Sequence, residues 1–216
     1  MKEKNESLSK AALRRQREKE KRYATILSVA ESLVARNGYH QTSLENIADA
    51  AEVSVGTVYF YFKNKEDLLI TLMQKVGFQL RKTLGEAFLG KQGTLEGIVN
   101  AGMSFFNDFC LKYPDSLSIF FREASGQSAA VEQERKRLYG KLIKDLEGAL
   151  TRVATEAKTS YRSTLSAELM AVCILGIYER VAGYYMLWHD RAGDVAEAAE
   201  DVTAFTVGGI RNLMAS

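Results

Sequence analysis

Apolar residues recur at helical spacing along most of the chain, and capping residues mark where each run starts and stops. Ile26, Ala30, Leu33 and Val34 share one face of a helix predicted from Arg14 to Asn37, with Gly38 as its C-terminal cap. Thr42-Ser43-Leu44-Glu45 has the spacing of a capping box, in which Thr42 accepts from a free amide and Glu45 reaches back. Leu44, Ile47, Ala48 and Ala51 then repeat at i, i+3, i+4 and i+7 and predict a short second helix. Ser54 is an N-cap for a third short segment ending near Phe62. Asn64 caps a fourth, with Glu66 and Asp67 in its first turn and Leu69, Leu72, Met73 and Val76 as its apolar stripe. The middle pair, about eight residues each with a short connection, has the proportions of a helix-turn-helix.

The run Val58-Tyr59-Phe60-Tyr61-Phe62 reads locally as a buried strand, yet it ends abruptly in Lys63-Asn64-Lys65. As a helix from Ser54 to Phe62 it makes sense. Val58 and Phe62, four apart, point inward, while Val55, Gly56, Thr57, Tyr59, Phe60 and Tyr61 cover the remaining arc. Gly56 allows close approach of backbone to a groove edge. Tyrosine hydroxyls can donate to phosphate oxygens, Lys63 and Lys65 supply charge, and free amides at the start of the helix after Asn64 add an anion site.

Downstream the pattern stays helical. Thr94 caps a helix whose face is Ile98, Gly102, Phe105, Phe106 and Phe109, and Tyr113-Pro114 breaks it. After a Ser125-Gly126-Gln127-Ser128 loop come a long charged helix from about Ala130 to Glu156 and two more, near Ser166 to Trp188 and Asp194 to Met214. The first of these last two is apolar all round, which predicts enclosure on all sides. The second carries a stripe of Val195, Ala199, Val202, Thr206, Gly209 and Leu213. The expected fold is all-α, with about nine helices.

Composition supports this reading: among 216 residues there is one proline, Pro114, and 46% are hydrophobic. Cys110 and Cys173, both in apolar segments, read as small buried hydrophobes. Leu169 to Trp188 is long enough to span a bilayer, but Glu179 and Arg180 near its middle argue for a buried helix and against a membrane. The start of the chain lacks the apolar core of a secretory signal, so the expected location is cytoplasmic. The net charge is only +2, but residues 1–22 carry nine Lys/Arg against four Glu. Residues 23–62 carry Arg36 against Glu31, Glu45, Asp49 and Glu52, so a polyanionic partner must draw on cations elsewhere. Arg14, Arg15 and Arg17 in the N-terminal extension are the candidates.

Residues 22–70 resemble the DNA-binding domain of the TetR (tetracycline-repressor-like) family of bacterial regulators. The residues that carry the resemblance are ARNGYHQTSLENIADAAEVSVGTVYFYFKNKEDLL, where Gly38-Tyr39, Thr42-Ser43, Ile47-Ala48, Val53-Ser54, Gly56, Val58-Tyr59, Phe62-Lys63 and Lys65-Glu66 match in order and spacing. The resemblance implies that Thr42 or Ser43, Val55, Gly56, Thr57, Tyr59, Phe60, Tyr61 and Lys65 occupy DNA-contacting positions. Val55 replaces a residue that is often polar or basic in the family, and Phe60-Tyr61 replaces a common tyrosine-histidine pair. Apolar side chains there would favour thymine methyl groups. The resemblance also implies a dimer interface built from the two C-terminal helices.

The expected organisation is therefore a basic extension (1–20), a helix-turn-helix domain (21–66) and a helical effector-binding and dimerisation domain (67–216). The expected function is a ligand-responsive regulator, a repressor binding a palindromic double-stranded DNA operator as a homodimer. Met103, Phe105, Phe106, Phe109, Phe120 and Phe121, with Arg122, Tyr178, Arg180 and Tyr184, are the candidate lining of an effector cavity; the same aromatics can also form a plain core. A small hydrophobic effector of acyl or acyl-CoA type would use the arginines, whereas a cationic aromatic drug would use Glu123 or Glu179. A helical interaction module without DNA binding is a further alternative. No metal-spaced cluster, phosphate-cradling glycine loop or catalytic constellation accompanies His40 and His189, so neither an enzyme nor a cofactor is expected.

Overall fold

The computed structural model describes residues 10–214, and among these the chain forms nine α-helices and no strand. They are α1 (Lys10–Asn37), α2 (Leu44–Ala50), α3 (Val55–Tyr61), α4 (Lys65–Ala87), α5 (Leu95–Ser104), α6 (Pro114–Ser118), α7 (Ala129–Glu156), α8 (Ser166–Ala182) and α9 (Val195–Leu213). Three continue into π-helical turns: α5 through Phe105–Cys110, α6 through Ile119–Glu123 and α8 through Gly183–Trp188. The chain divides into two compact units, one up to Leu68 and one from Leu69 onward. Helix α4 begins in the first and runs into the second.

In the first unit Ile26, Ala30 and Val34 of α1, Ile47 and Ala48 of α2, and Val58 of α3 with Phe62 at its C-cap are wholly buried. Helices of seven residues are unstable alone, so α2 and α3 exist because this shared core holds them. Gly38 ends α1 with φ +85°, as a C-terminal glycine should. Between α2 and α3 the chain reverses through Glu52 at φ +55°, with the Glu52 amide bonded to Asp49 O (3.1 Å) and the Val53 amide to Ala48 O (3.0 Å). These are the paired bonds of a Schellman turn, here carried by a residue with a side chain.

Two local expectations are corrected. The capping box opening α2 uses Ser43 and Asn46, not Thr42 and Glu45: the Asn46 amide donates to Ser43 Oγ (3.1 Å) and the Ser43 amide to Asn46 Oδ1 (3.0 Å). Helix α1 already includes Lys10, the first described residue, so the described part of the basic extension is helical and continuous with α1; residues 1–9 lie outside the described residues.

The core of the second unit is aromatic. Phe105 meets Phe106 edge-on at 4.9 Å between centroids, and Phe120 stacks on Tyr139 at 5.3 Å. Tyr178 of α8 lies against Phe106 at 5.2 Å, with its buried hydroxyl near Thr203 (3.5 Å) and Thr206 (3.3 Å) of α9. Burial pushes the Cys110 thiol pKa up, which leaves it an inert packing group.

Helix α8 is not enclosed on all sides within this chain. Leu165, Leu169, Val172, Cys173, Tyr184 and Trp188 are exposed, so Cys173 is not the buried hydrophobe the sequence suggested. On α9 the stripe Val195, Ala199, Val202, Thr206 packs inward, while Phe205, 71% exposed, faces out beside Gly208 and Gly209. The 23-residue segment Ser166–Trp188 is long and apolar enough to cross a membrane. Its Glu179 nevertheless accepts a hydrogen bond from Tyr139 (2.9 Å), and its other face packs on α7 and α9, which is the pattern of a helix in a folded helical domain.

Candidate functional site

The outward surface of α3 is fixed by what it buries. Gly56 and Phe60, four apart, lie opposite Val58 and Phe62, with Thr57 beside them and Val55 and Tyr59 on the flank. Tyr59 is 51% and Phe60 69% exposed. A Cβ added at Gly56 would meet only Ser54 Oγ, at 3.8 Å. The protein's own packing therefore does not require glycine there, and whatever lies beyond the helix can. Ser54 caps the helix, its hydroxyl accepting from the Thr57 amide (3.1 Å).

Not every residue expected at this surface reaches it. Thr42 is 1% exposed, and its hydroxyl donates to Gly38 O (2.9 Å) with Leu33 O also in reach (3.3 Å), so it ties α1 to the loop before α2. Tyr61 turns to α1, where its hydroxyl donates to Lys19 O (3.2 Å) and its ring meets Tyr23 at 5.6 Å. Lys65 donates to Tyr39 O (3.0 Å) and His40 O (3.2 Å) and lies 4.5 Å over the Tyr39 ring. At the start of α4, the Asp67 amide is taken by Asn64 Oδ1 (2.8 Å) and the Lys63 amide by Asp67 Oδ2 (3.0 Å), so the open anion site expected there is partly occupied by the chain itself.

Ser43, Val55, Gly56, Thr57, Tyr59, Phe60 and the Lys63 ammonium remain as the candidate contact set. Alongside stands the basic start of α1, where Arg14, Arg15 and Arg17 are exposed, Arg14 bonded to Glu18 (2.9 Å). Lys19 lies 5.2 Å over the Phe60 ring, which fixes this basic stretch next to α3.

The second unit contains a cavity of about 510 Å³, within the size range of small-molecule sites. Its inner wall is apolar, with Ile98, Ala101, Phe105, Leu142, Ala149 and Tyr178. Its exposed rim is polar and mainly cationic, with Arg81, Lys144 and Arg152 against Asp145. Of the residues expected to line a cavity, Phe105 and Tyr178 do so here. Phe106, Phe109 and Phe120 are core, Phe121 packs edge-on to Tyr139, and Met103 lines a separate, polar groove. Arg122 pairs with Glu123 (2.6 Å), Arg180 lies 5.0 Å over Trp188, and Tyr184 is exposed beside them. The rim residues were not singled out by sequence, since each looks like ordinary surface charge on its own helix.

A buried three-helix core presenting a short, glycine-opened helix beside a basic stretch defines a helix-turn-helix DNA-binding protein. Residues 26–72 match the profile of bacterial regulatory proteins of the tetR family. Across most of its length the chain is also similar to a fatty acid metabolism regulator protein of Bacillus subtilis (strain 168), with 27% identity over 198 residues, covering 91% of this chain and 99% of that one. Two solved structures share the fold. One is FadR from Bacillus subtilis in complex with stearoyl-CoA (TM-score 0.75, 23% identity, 87% of this chain and 98% of that one). The other is the fatty acid degradation regulator FadR from Bacillus halodurans (TM-score 0.73, 21% identity, 87% and 98%). Residues 26–72 thus form a DNA-binding domain of the tetR type, and the rest of the chain has the fold of the regulators it is similar to.

Gly56→Val and Thr42→Val should separate surface from scaffold. Gly56→Val is expected to abolish operator binding with little change in thermal stability, measured by gel shift and thermal denaturation. Thr42→Val removes a buried hydroxyl and should cost about 1–2 kcal/mol of stability while leaving the preference for operator sequence unaltered. Undiminished operator affinity in the Gly56 variant would remove α3 from the interface.

Proposed function

We propose that this protein is a cytoplasmic repressor that binds a palindromic operator as a homodimer and is released by a long-chain acyl thioester with an anionic head, of the acyl-CoA type. The observation that carries the effector reading is the cavity of the second unit, with an apolar interior for a chain and a rim of three cations to one carboxylate for a head group. The cationic-drug reading loses its candidate anions. Glu123 is engaged by Arg122 and Glu179 by Tyr139, and neither lines the cavity. The similarity to a fatty acid metabolism regulator, and to a fold solved with stearoyl-CoA, supports the same choice.

Regulation is proposed to run through α4. Its first turn is held to the α1–α2 loop by Lys65, and its later turns supply Leu80, Arg81 and Leu84 to the cavity. A ligand that displaces those turns acts on one continuous helix that starts beside α3. Gel shift on DNA upstream of the protein's own gene should show a retarded band that a long-chain acyl-CoA dissolves at micromolar concentration. A band indifferent to every acyl-CoA tested would refute the effector assignment.

The outer faces of α8 and α9 are proposed as the dimer interface. Leu169, Val172 and Phe205 are large and exposed, and a Cβ at Gly176, Gly208 or Gly209 would meet nothing within 4 Å in the protomer. Substitution there leaves the protomer's own packing alone but fills the space a partner helix needs. Two recognition helices must reach successive major grooves roughly 34–36 Å apart or somewhat more, and a fixed dimer sets that spacing. Phe205→Glu and Gly209→Leu should therefore convert a dimer to a monomer in sedimentation while helicity stays constant. A monomeric wild type, or a dimeric Phe205→Glu variant, would contradict this.

A further inference from the structure

We propose that Arg81 is the head-group-binding residue of the cavity and that Asp145 is its built-in competitor, so that an anionic effector binds by taking the place of the Asp145 carboxylate on the Arg81 guanidinium. The inference rests on the acyl-thioester reading above. Arg81 of α4 donates through Nε to one carboxylate oxygen of Asp145 on α7 (2.6 Å) and through a terminal nitrogen to the other (3.1 Å). Both residues line the cavity, and their side chains are 42% and 52% exposed, so the pair sits at the mouth, within reach of solvent and of an entering ligand.

The chemistry of the exchange follows from this geometry. A guanidinium offers two parallel N–H donors that fit the paired oxygens of a carboxylate or a phosphate equally well, so a phosphate can replace Asp145 donor for donor. A half-exposed ion pair adds little to stability, which keeps the exchange accessible. Lys144 and Arg152 on the same rim add cations for further head-group charge, or for Asp145 once it is displaced. Gly77, one turn before Arg81 on α4, also packs against Leu138, two turns before Asp145 on α7, so the Arg81–Asp145 bond extends an existing α4–α7 contact. Ligand binding thus trades a bond between α4 and α7 for a bond between α4 and the ligand. A neutral head group has no means of making that trade.

The test compares dodecanoyl-CoA with the N-acetylcysteamine thioester of the same acid, which has the same chain and an uncharged head. Their dissociation constants are measured by calorimetry on full-length wild type, Asp145→Asn and Arg81→Gln. The CoA thioester should bind Asp145→Asn about three- to tenfold more tightly than wild type and Arg81→Gln about tenfold more weakly. The neutral thioester should bind all three within about twofold, and only the CoA thioester should weaken with added salt. Equal shifts for both ligands would make the ion pair merely structural and overturn the proposal, as would unchanged affinity of Asp145→Asn for the CoA thioester. Wild type that binds the neutral ligand but not the CoA thioester overturns the proposal and leaves the apolar cavity standing. Wild type that binds neither sinks the acyl reading itself, and the proposal with it.

Discussion

The burial of Val58 and Phe62 is the constraint on which the DNA-facing surface depends. A seven-residue helix does not hold together in water, and α3 forms because these two side chains, one turn apart, complete a core with Ile26, Ala30, Val34, Ile47 and Ala48. Once they point inward, helical geometry leaves no choice about the rest: Gly56 and Phe60 face out, Tyr59 lies on one flank and Tyr61 on the other, bonded to α1. An apparent β-strand sequence is thereby a helix with an aromatic outer surface. The contact between Lys19 and Phe60 extends this order to the basic turns of α1, which supply the cations that the acidic core of the domain lacks.

The second unit solves a different problem, that of keeping a hole inside a packed domain. Its phenylalanines fill space against one another, whereas the cavity is lined by several small residues, Gly85, Ala101, Gly102, Gly148 and Ala149. Gly102 matters doubly, since an added Cβ there would overlap the Tyr178 hydroxyl, which is held from behind by Thr206. The charges stay at the rim, where solvation spares them the cost of burial. Helix α4 contributes both to this cavity and, through Lys65, to the first unit, and in the proposed regulation it carries the effector's signal.

Most of the architecture was legible in the sequence because capping residues and apolar periodicity are local signals. Ser54, Thr94, Gly38 and Pro114 each stand where the sequence placed a boundary. The misread features are those decided by distant partners. Thr42 and Ser43 are equally good caps in isolation, and only the carbonyls of Gly38 and Leu33 draw Thr42 into the core. Tyr61 finds its acceptor 42 residues upstream. Aromatic density pointed to Phe106, Phe109 and Phe120 as cavity walls, yet a void assembled from four helices has no signature in any one of them. The apolar girth of α8 predicted enclosure on all sides, whereas within this chain only one of its faces is covered.

If effector and operator compete through one molecule, as proposed, the two binding equilibria must be thermodynamically linked. The affinity of a long-chain acyl-CoA should be measured for the free protein and for the operator-bound protein, together with operator affinity with and without saturating acyl-CoA. The operator should weaken effector binding, and the effector should weaken operator binding by the same factor, of about 5–150-fold. Equal effector affinity for free and operator-bound protein would contradict it.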